Sequence, residues 1–149
     1  MQDALYRFVL TFHGTFRWIV MLVAVSTVAA IYKRPYFERR WPSSVRRLSS
    51  LFVGAIDIQL FLGFVLYLGL SPITKTAFHD TRFLTNREAV FFGVFHISVM
   101  LLAVFFAHLG NITLRRPDTG SSKHRAAALF TLTFALLVTA TPWWRPLIR

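Results

Sequence analysis

Two histidines lie inside long apolar stretches of this chain, where an imidazole finds few partners. His13 begins the segment HGTFRWIV, and His96 lies in VFHISVMLLAV. Ionisable side chains at membrane depth are costly unless they are paired, so they indicate a functional site by default. An imidazole from each of two helices is also what a haem iron between them requires. We therefore first consider cofactor binding by His13 and His96.

Other polar residues accompany this pair. Arg17 follows His13 by four positions, on the same face of a helix, where it could neutralise a haem propionate or tune the reduction potential. Asp57 and Gln59 interrupt the second apolar stretch. A purely structural interpretation is that Arg17 and Asp57 form an intramembrane ion pair, with the histidines completing a hydrogen-bonded network. His108 lies near the end of its apolar stretch, where an interfacial or capping role is expected.

Composition indicates an integral membrane protein. Apolar residues make up 55% of the 149 residues and charged residues only 15%, against about 25% charged in soluble domains. The apolar residues form four blocks of spanning length rather than amphipathic stripes. We predict an all-α bundle of four transmembrane helices in one domain, with helices at about residues 6–32, 48–70, 88–109 and 126–144.

The distribution of lysine and arginine predicts the orientation. The first and third loops carry ten basic residues, and the opposite side carries six, counting Arg7 at the start of the first block. The positive-inside rule then places both termini on the outer side of a bacterial cytoplasmic membrane. The net charge of +11 is explained by lipid headgroups and topology rather than by nucleic acid.

Depth within the membrane connects the two histidines. The first and third helices run in the same direction. His13 lies seven residues after Tyr6 and His96 eight after Glu88, a mismatch of about 1.5 Å along ideal helices. His96 and His108 are twelve residues apart, about 18 Å along one helix, and cannot serve one small site. The sequence thus predicts His13 and His96 as axial ligands of a b-type haem.

The sequence lacks the residues that several other kinds of site require. The chain has no cysteine, so thiolate metal sites and covalent c-type haem attachment are excluded. GxSxG, P-loop, HExxH and GxGxxG patterns are absent from the sequence. We therefore expect an electron-transfer or accessory subunit rather than a protein whose side chains catalyse a reaction.

The sequence also resembles a group of small bacterial four-helix membrane proteins that are often labelled cytochrome b-like. The resemblance rests on HGTFRWIV (13–20), DIQLFLGFVLYLGLSP (57–72), VFHISVMLLAV (94–104) and TPWWRP (141–146). It implies family roles for His13, Arg17, Trp18, Gln59, Gly63, His96, Pro142 and Trp143. Members of the group often have histidine at the position of Asp57 and an acid at that of Phe95.

The functional expectation is a membrane b-type cytochrome or haem-bearing respiratory subunit. Its partners would be the lipid bilayer, other membrane subunits or a redox partner, and a quinone. Two alternatives remain open. One is a cofactor-free accessory or assembly subunit of a larger respiratory or photosynthetic complex. The other is a small transporter or quinone-binding protein that uses Asp57, Gln59 and Arg17 as polar anchors.

Overall fold

All regular structure in the part of the chain that the structure describes is helical. The computed structural model describes residues 2–33, 41–79, 83–116 and 120–145. The helices are α1 (Gln2–Tyr32), α2 (Ser43–Phe64), α3 (Pro72–His79), α4 (Arg87–Val90), α5 (His96–Arg115) and α6 (Gly120–Ala140). Five of the basic residues counted for the orientation lie outside the described residues, namely Arg34, Arg39, Arg40, Arg82 and Arg149.

Three helical segments are long and apolar enough to cross a membrane. They are Gln2–Tyr32, Ser43–Leu70 and Arg87–Arg115, with 31, 28 and 29 residues. At 1.5 Å per residue each exceeds the roughly 30 Å of a hydrocarbon core. The fourth long helix, Gly120–Ala140, has 21 residues and begins with a polar turn that contains Lys123. The fold is thus all-helical and compatible with a membrane protein.

The four long helices share one core. α1 contributes Val20, Ala24 and Ile31, which recur at helical spacing on one face. α6 packs against α5 and α1, while α2 packs against α1 and α5. The remaining core side chains come from the other three long helices and from Trp41, two residues before α2, and are Trp41, Val45, Phe52, Val53, Ile56, Ala103, Ala107, Leu114, Ala126, Ala127, Phe130 and Leu137.

Small residues set the close approach of α5 to its neighbours. A side-chain carbon built on Gly110 would lie 2.9 Å from the ring of Phe130, which is fully buried. Ser49 donates a hydrogen bond to Asn111 at 3.0 Å, joining α2 to α5. Glycine followed by asparagine is common at the end of a helix. Gly110 and Asn111 nevertheless lie inside α5, which continues to Arg115. Packing, not capping, explains this glycine.

Two π-helical segments face each other at one end of the molecule. Val65–Leu70 extends α2, and Phe91–Phe95 links α4 to α5 immediately before His96. The Tyr67 hydroxyl donates to the Gly93 carbonyl at 2.8 Å and so ties the two segments together. Helix α3 occupies the connector between them, and the buried Thr74 donates to the Tyr67 carbonyl at 2.8 Å. π-segments within helices often accompany functional sites.

The Gly110–Phe130 contact predicts a large effect of one methyl group. Gly110→Ala forces the fully buried Phe130 ring to move, and overpacking of this kind costs about 1–3 kcal/mol. Gly54→Ala is the matched control, because a side-chain carbon there meets nothing within 4 Å. We expect a lower thermal unfolding midpoint in detergent for Gly110→Ala and an unchanged or higher one for Gly54→Ala. Equal midpoints would contradict the packing described here.

Candidate functional site

A cavity of about 160 Å³ lies between the four long helices and α3. On α1 its wall extends from Tyr6 to Met21, which is about 22 Å along the helix axis. Most of the wall is apolar, including Leu10, Val20, Ile56, Phe92, Met100 and Leu137. Five basic or amide side chains interrupt this wall, and these are His13, Arg17, Gln59, His96 and Arg145. Cofactor sites commonly have this combination of apolar wall and few polar groups.

His13 and His96 come together in this cavity. Their ring centres are 6.5 Å apart, and the ring planes are inclined by 72°. His13 is carried by α1, and His96 is the first residue of α5 after the π-segment. The two histidines that the sequence places at equal depth in the membrane are thus also close to each other in the structure. Their role as iron ligands stays a prediction.

The orientation of His96 is set by the end of α6. Its Nδ1 atom lies 2.8 Å from the Ala140 carbonyl oxygen, which can only accept a hydrogen bond. Nδ1 therefore carries the proton, and in the neutral ring Nε2 is left as an electron-pair donor. The Ala140 carbonyl belongs to the last turn of α6, before Pro142, where carbonyls lack helical partners. This arrangement is typical of metal-binding histidines, whose second nitrogen donates to a carbonyl.

His13 is held by Gln59 on the neighbouring helix. The Gln59 side-chain nitrogen donates to the His13 carbonyl at 3.0 Å and lies 3.3 Å from His13 Nε2. If Nε2 accepts this second bond, the imidazole proton is on Nδ1. The buried atoms His13 Nδ1 and Gln59 Oε1 have no hydrogen-bond partner among the described residues. One donor and one acceptor are thus available in the cavity wall, and leaving such a group unsatisfied costs about 1–3 kcal/mol.

Two arginines add positive charge to the same cavity. Arg17 lines it one turn after His13, with its guanidinium 5.3 Å from the Trp18 ring. Arg145 pairs with Glu88 at 3.0 Å and lies 4.4 Å from the Phe92 ring. The ion pair joins the start of α4 to the segment after α6. The sequence does not predict this ion pair, because nothing near Arg145 or Glu88 in the chain indicates the contact.

Asp57 and His108 form a second polar pair, outside the residues that line the cavity. The Asp57 Oδ1 and His108 Nε2 atoms are 3.0 Å apart, and both side chains are about half exposed. Gln59, only two residues after Asp57, is buried on the cavity side of α2. His108 thus has a carboxylate partner, beyond the interfacial role expected from its position. His79 on α3 and His124 on α6 are exposed.

Residues that carry the family resemblance cluster around the cavity. His13, Arg17, Gln59, Gly63, His96 and Pro142 all line it. Trp18 and Trp143 contact each other beside it, with ring centres 6.3 Å apart. Gly63 allows the close approach of α2 to α1, since a side-chain carbon there would lie 3.4 Å from His13 Cε1. Segments far apart in the chain thus build one site.

Comparison with known proteins gives no independent assignment of this site. No protein-family model, curated protein or solved structure matches the chain. Within the described ranges no group of three or more His, Cys, Asp or Glu side chains is placed to hold a metal ion. The interpretation of the cavity therefore rests on its own geometry.

A tyrosine and a threonine make contacts in the cavity wall that were not predicted from the sequence. Tyr67 lines the cavity and bonds to Gly93, and Thr74 bonds back to Tyr67. Both residues lie at the boundary between an apolar block and a connector, where their side chains look like ordinary interfacial residues. Only the helical form of α3, unexpected from the sequence, brings Thr74 against Tyr67.

The Tyr67 hydroxyl provides a test of this closure. Tyr67→Phe leaves the ring but removes the bond to the Gly93 carbonyl, which should cost about 0.5–1.5 kcal/mol of unfolding free energy. Tyr32→Phe is the matched control, because the Tyr32 hydroxyl bonds to Thr131 on the exposed surface. Thermal unfolding in detergent should show a lower midpoint for Tyr67→Phe alone. Equal midpoints for both variants would contradict a structural role of the Tyr67–Gly93 bond.

Proposed function

We propose that this protein is a membrane b-type cytochrome or haem-bearing electron-transfer subunit, with His13 and His96 as axial ligands. We further propose that its four long helices form a transmembrane bundle in a bacterial inner membrane, with both termini outside. The resemblance to cytochrome b-like proteins belongs to this proposal, as does a membrane-bound redox partner.

The convergence of two imidazoles in one apolar cavity carries the proposal. Imidazole nitrogen binds first-row metals at about 2.0–2.1 Å, so two rings on one metal have centres about 6 Å apart. The observed separation of the His13 and His96 ring centres is 6.5 Å. The Ala140 carbonyl keeps the proton on His96 Nδ1, which leaves Nε2 as the donor that an iron requires. His96 thus offers a free nitrogen, whereas His13 Nε2 lies 3.3 Å from the Gln59 side-chain nitrogen, so iron binding by His13 requires Gln59 to give up this contact.

The remaining wall also fits a haem. Haem carries two carboxylates, and Arg17 supplies a cation at the cavity, whereas the charge of Arg145 is already paired with Glu88. Gly14 lines the cavity next to His13. The space beside it is open, because a side-chain carbon built there would meet no atom within 4 Å. A haem is larger than the enclosed 160 Å³, so it must also occupy the open part of the cavity.

In this proposal the protein side chains position a cofactor and do not react themselves. A bound haem supplies a one-electron redox couple, whose potential depends on its axial ligands, nearby charge and burial. The Arg17 cation favours the form that holds the extra electron. The apolar wall excludes water, which strengthens this electrostatic effect.

A quinone head group is the second candidate ligand, and the enclosed volume favours it. The cavity of about 160 Å³ resembles an engineered apolar cavity of about 150 Å³ that binds benzene, so it suits a single six-membered ring. His13 Nδ1 can donate a hydrogen bond to a quinone carbonyl. Gln59 Oε1 can accept one from the hydroxyl of the reduced form.

Absorption spectroscopy tests haem binding. The full chain, produced with adequate haem and purified in mild detergent, should give a reduced-minus-oxidised spectrum of a b-type haem. His13→Ala and His96→Ala should each lose most of this absorption, because each removes one ligand. His79→Ala, an exposed histidine outside the cavity, should retain it. Folded protein without haem absorption, or absorption unchanged in both cavity variants, would refute the proposal.

A soluble short-chain quinone tests the second candidate. At a concentration of 100 times its dissociation constant, a ligand stabilises the folded protein by about 2.7 kcal/mol. The unfolding midpoint of haem-free protein should then rise, and Gln59→Leu should abolish the rise. Asp57→Asn, two residues away and outside the cavity, should leave the rise intact. A midpoint insensitive to quinone, or equal rises in Gln59→Leu and the wild-type protein, would refute quinone binding.

A further inference from the structure

A second concave surface lies at the opposite end of the molecule, where α2 begins and α5 ends. This groove has a volume of about 780 Å³ and is separate from the histidine cavity. Its wall is formed by Ser43, Arg46, Arg47, Ser50, Leu51 and Arg115. Three of the six lining residues are arginines, two carry hydroxyl groups, and none is acidic. We call this surface the arginine groove.

Helical geometry brings these groups together. Ser43, Arg46, Arg47 and Ser50 occupy positions i, i+3, i+4 and i+7 of α2, which lie on one face of a helix. Arg115 comes from the last turn of α5. Its guanidinium donates to the Ser50 hydroxyl at 2.9 Å, and that hydroxyl donates to the Arg46 carbonyl at 2.8 Å. A neutral hydroxyl, rather than a carboxylate, thus holds Arg115 against α2.

Among the described residues, the groove concentrates positive charge without an acid in its wall. Arginine carries a planar fork of donors that matches the oxygen atoms of a phosphate. Guanidinium groups from two helices therefore line one surface and can donate to the oxygens of one phosphate, while the Ser50 hydroxyl, which donates to Arg46, positions Arg115. Like charges in this arrangement repel one another, so an anion that binds among them also stabilises the packing of α2 against α5.

The position of the groove indicates which phosphate it binds. It lies at the beginning of the apolar segment Ser43–Leu70 and at the end of Arg87–Arg115. Leu51, whose side chain is 65% exposed, borders the groove on the apolar side. A lipid can place its phosphate among the arginines while its acyl chains follow Leu51 along α2. Basic pockets between transmembrane helices bind anionic lipid headgroups in this way.

We propose that the arginine groove is a specific site for an anionic phospholipid headgroup. The lipid bridges the start of α2 and the end of α5. This proposal does not depend on the identity of the ligand in the histidine cavity. The groove also lies at the end of the molecule that the basic-residue count assigns to the cytoplasm, where anionic lipid is available.

Lipid-dependent unfolding tests this site. The full-length protein in neutral detergent is titrated with dioleoylphosphatidylglycerol, and separately with dioleoylphosphatidylcholine. Only the anionic lipid should raise the unfolding midpoint. Arg47→Gln and Arg115→Gln should each weaken the apparent affinity about fivefold, as expected for one basic residue at a lipid surface. Arg125→Gln, an exposed arginine on α6 outside the groove, should leave the affinity unchanged.

Two further measurements distinguish lipid binding from a folding defect and from binding of a phosphate group alone. Arg47→Lys keeps the charge and should bind more tightly than Arg47→Gln, which separates binding from a folding defect. Glycerol phosphate at the same concentration should give no rise, because it lacks acyl chains. Equal rises with the two lipids would overturn the proposal. So would equal losses in Arg125→Gln and Arg47→Gln, or a full rise with glycerol phosphate.

Discussion

The hydrogen bond from His96 to the Ala140 carbonyl is the interaction on which the site depends. An imidazole among apolar helices must find a partner, and α6 offers one because its last carbonyls have no helical donor before Pro142. One bond of 2.8 Å thus satisfies two costly groups at once and fixes α5 relative to the end of α6. It also determines which nitrogen of His96 remains free to bind a ligand. The ability of His96 to bind a ligand through Nε2 follows from this tautomer.

On the opposite wall of the cavity, His13 also needs a hydrogen-bond partner, and there the partner is a side chain of the neighbouring helix. Gln59 supplies its amide hydrogens to His13, and Gly63 allows the two helices to approach. The bonds leave His13 Nδ1 and Gln59 Oε1 buried without partners in the described part of the chain. Both residues line the cavity, and unsatisfied buried polar atoms cost free energy that a ligand able to reach them would recover. The site is therefore suited to hold a polar or metal-containing ring rather than to remain empty.

Much of the architecture can be predicted from local features of the sequence. The long apolar blocks predict helices, and Gln2–Tyr32, Ser43–Leu70 and Arg87–Arg115 are indeed long and apolar enough to span a membrane. The sequence predicts His13 and His96 at equal depth on two helices, and their ring centres lie 6.5 Å apart. Contacts that depend on side-chain reach across helices, such as Arg145 with Glu88 and Asp57 with His108, have no such local signal. The same holds for the π-segments, whose extra residue per turn is not visible in hydrophobic periodicity.

The central claim is that His13 and His96 bind one iron from opposite sides, and electron paramagnetic resonance of the oxidised protein tests it most directly. Two imidazole ligands should produce a low-spin ferric haem signal in the purified wild-type protein. Replacing either histidine by alanine removes one strong axial ligand and should convert any remaining haem to a high-spin form. A wild-type protein without a ferric haem signal, or a low-spin signal that persists in both variants, would contradict the account.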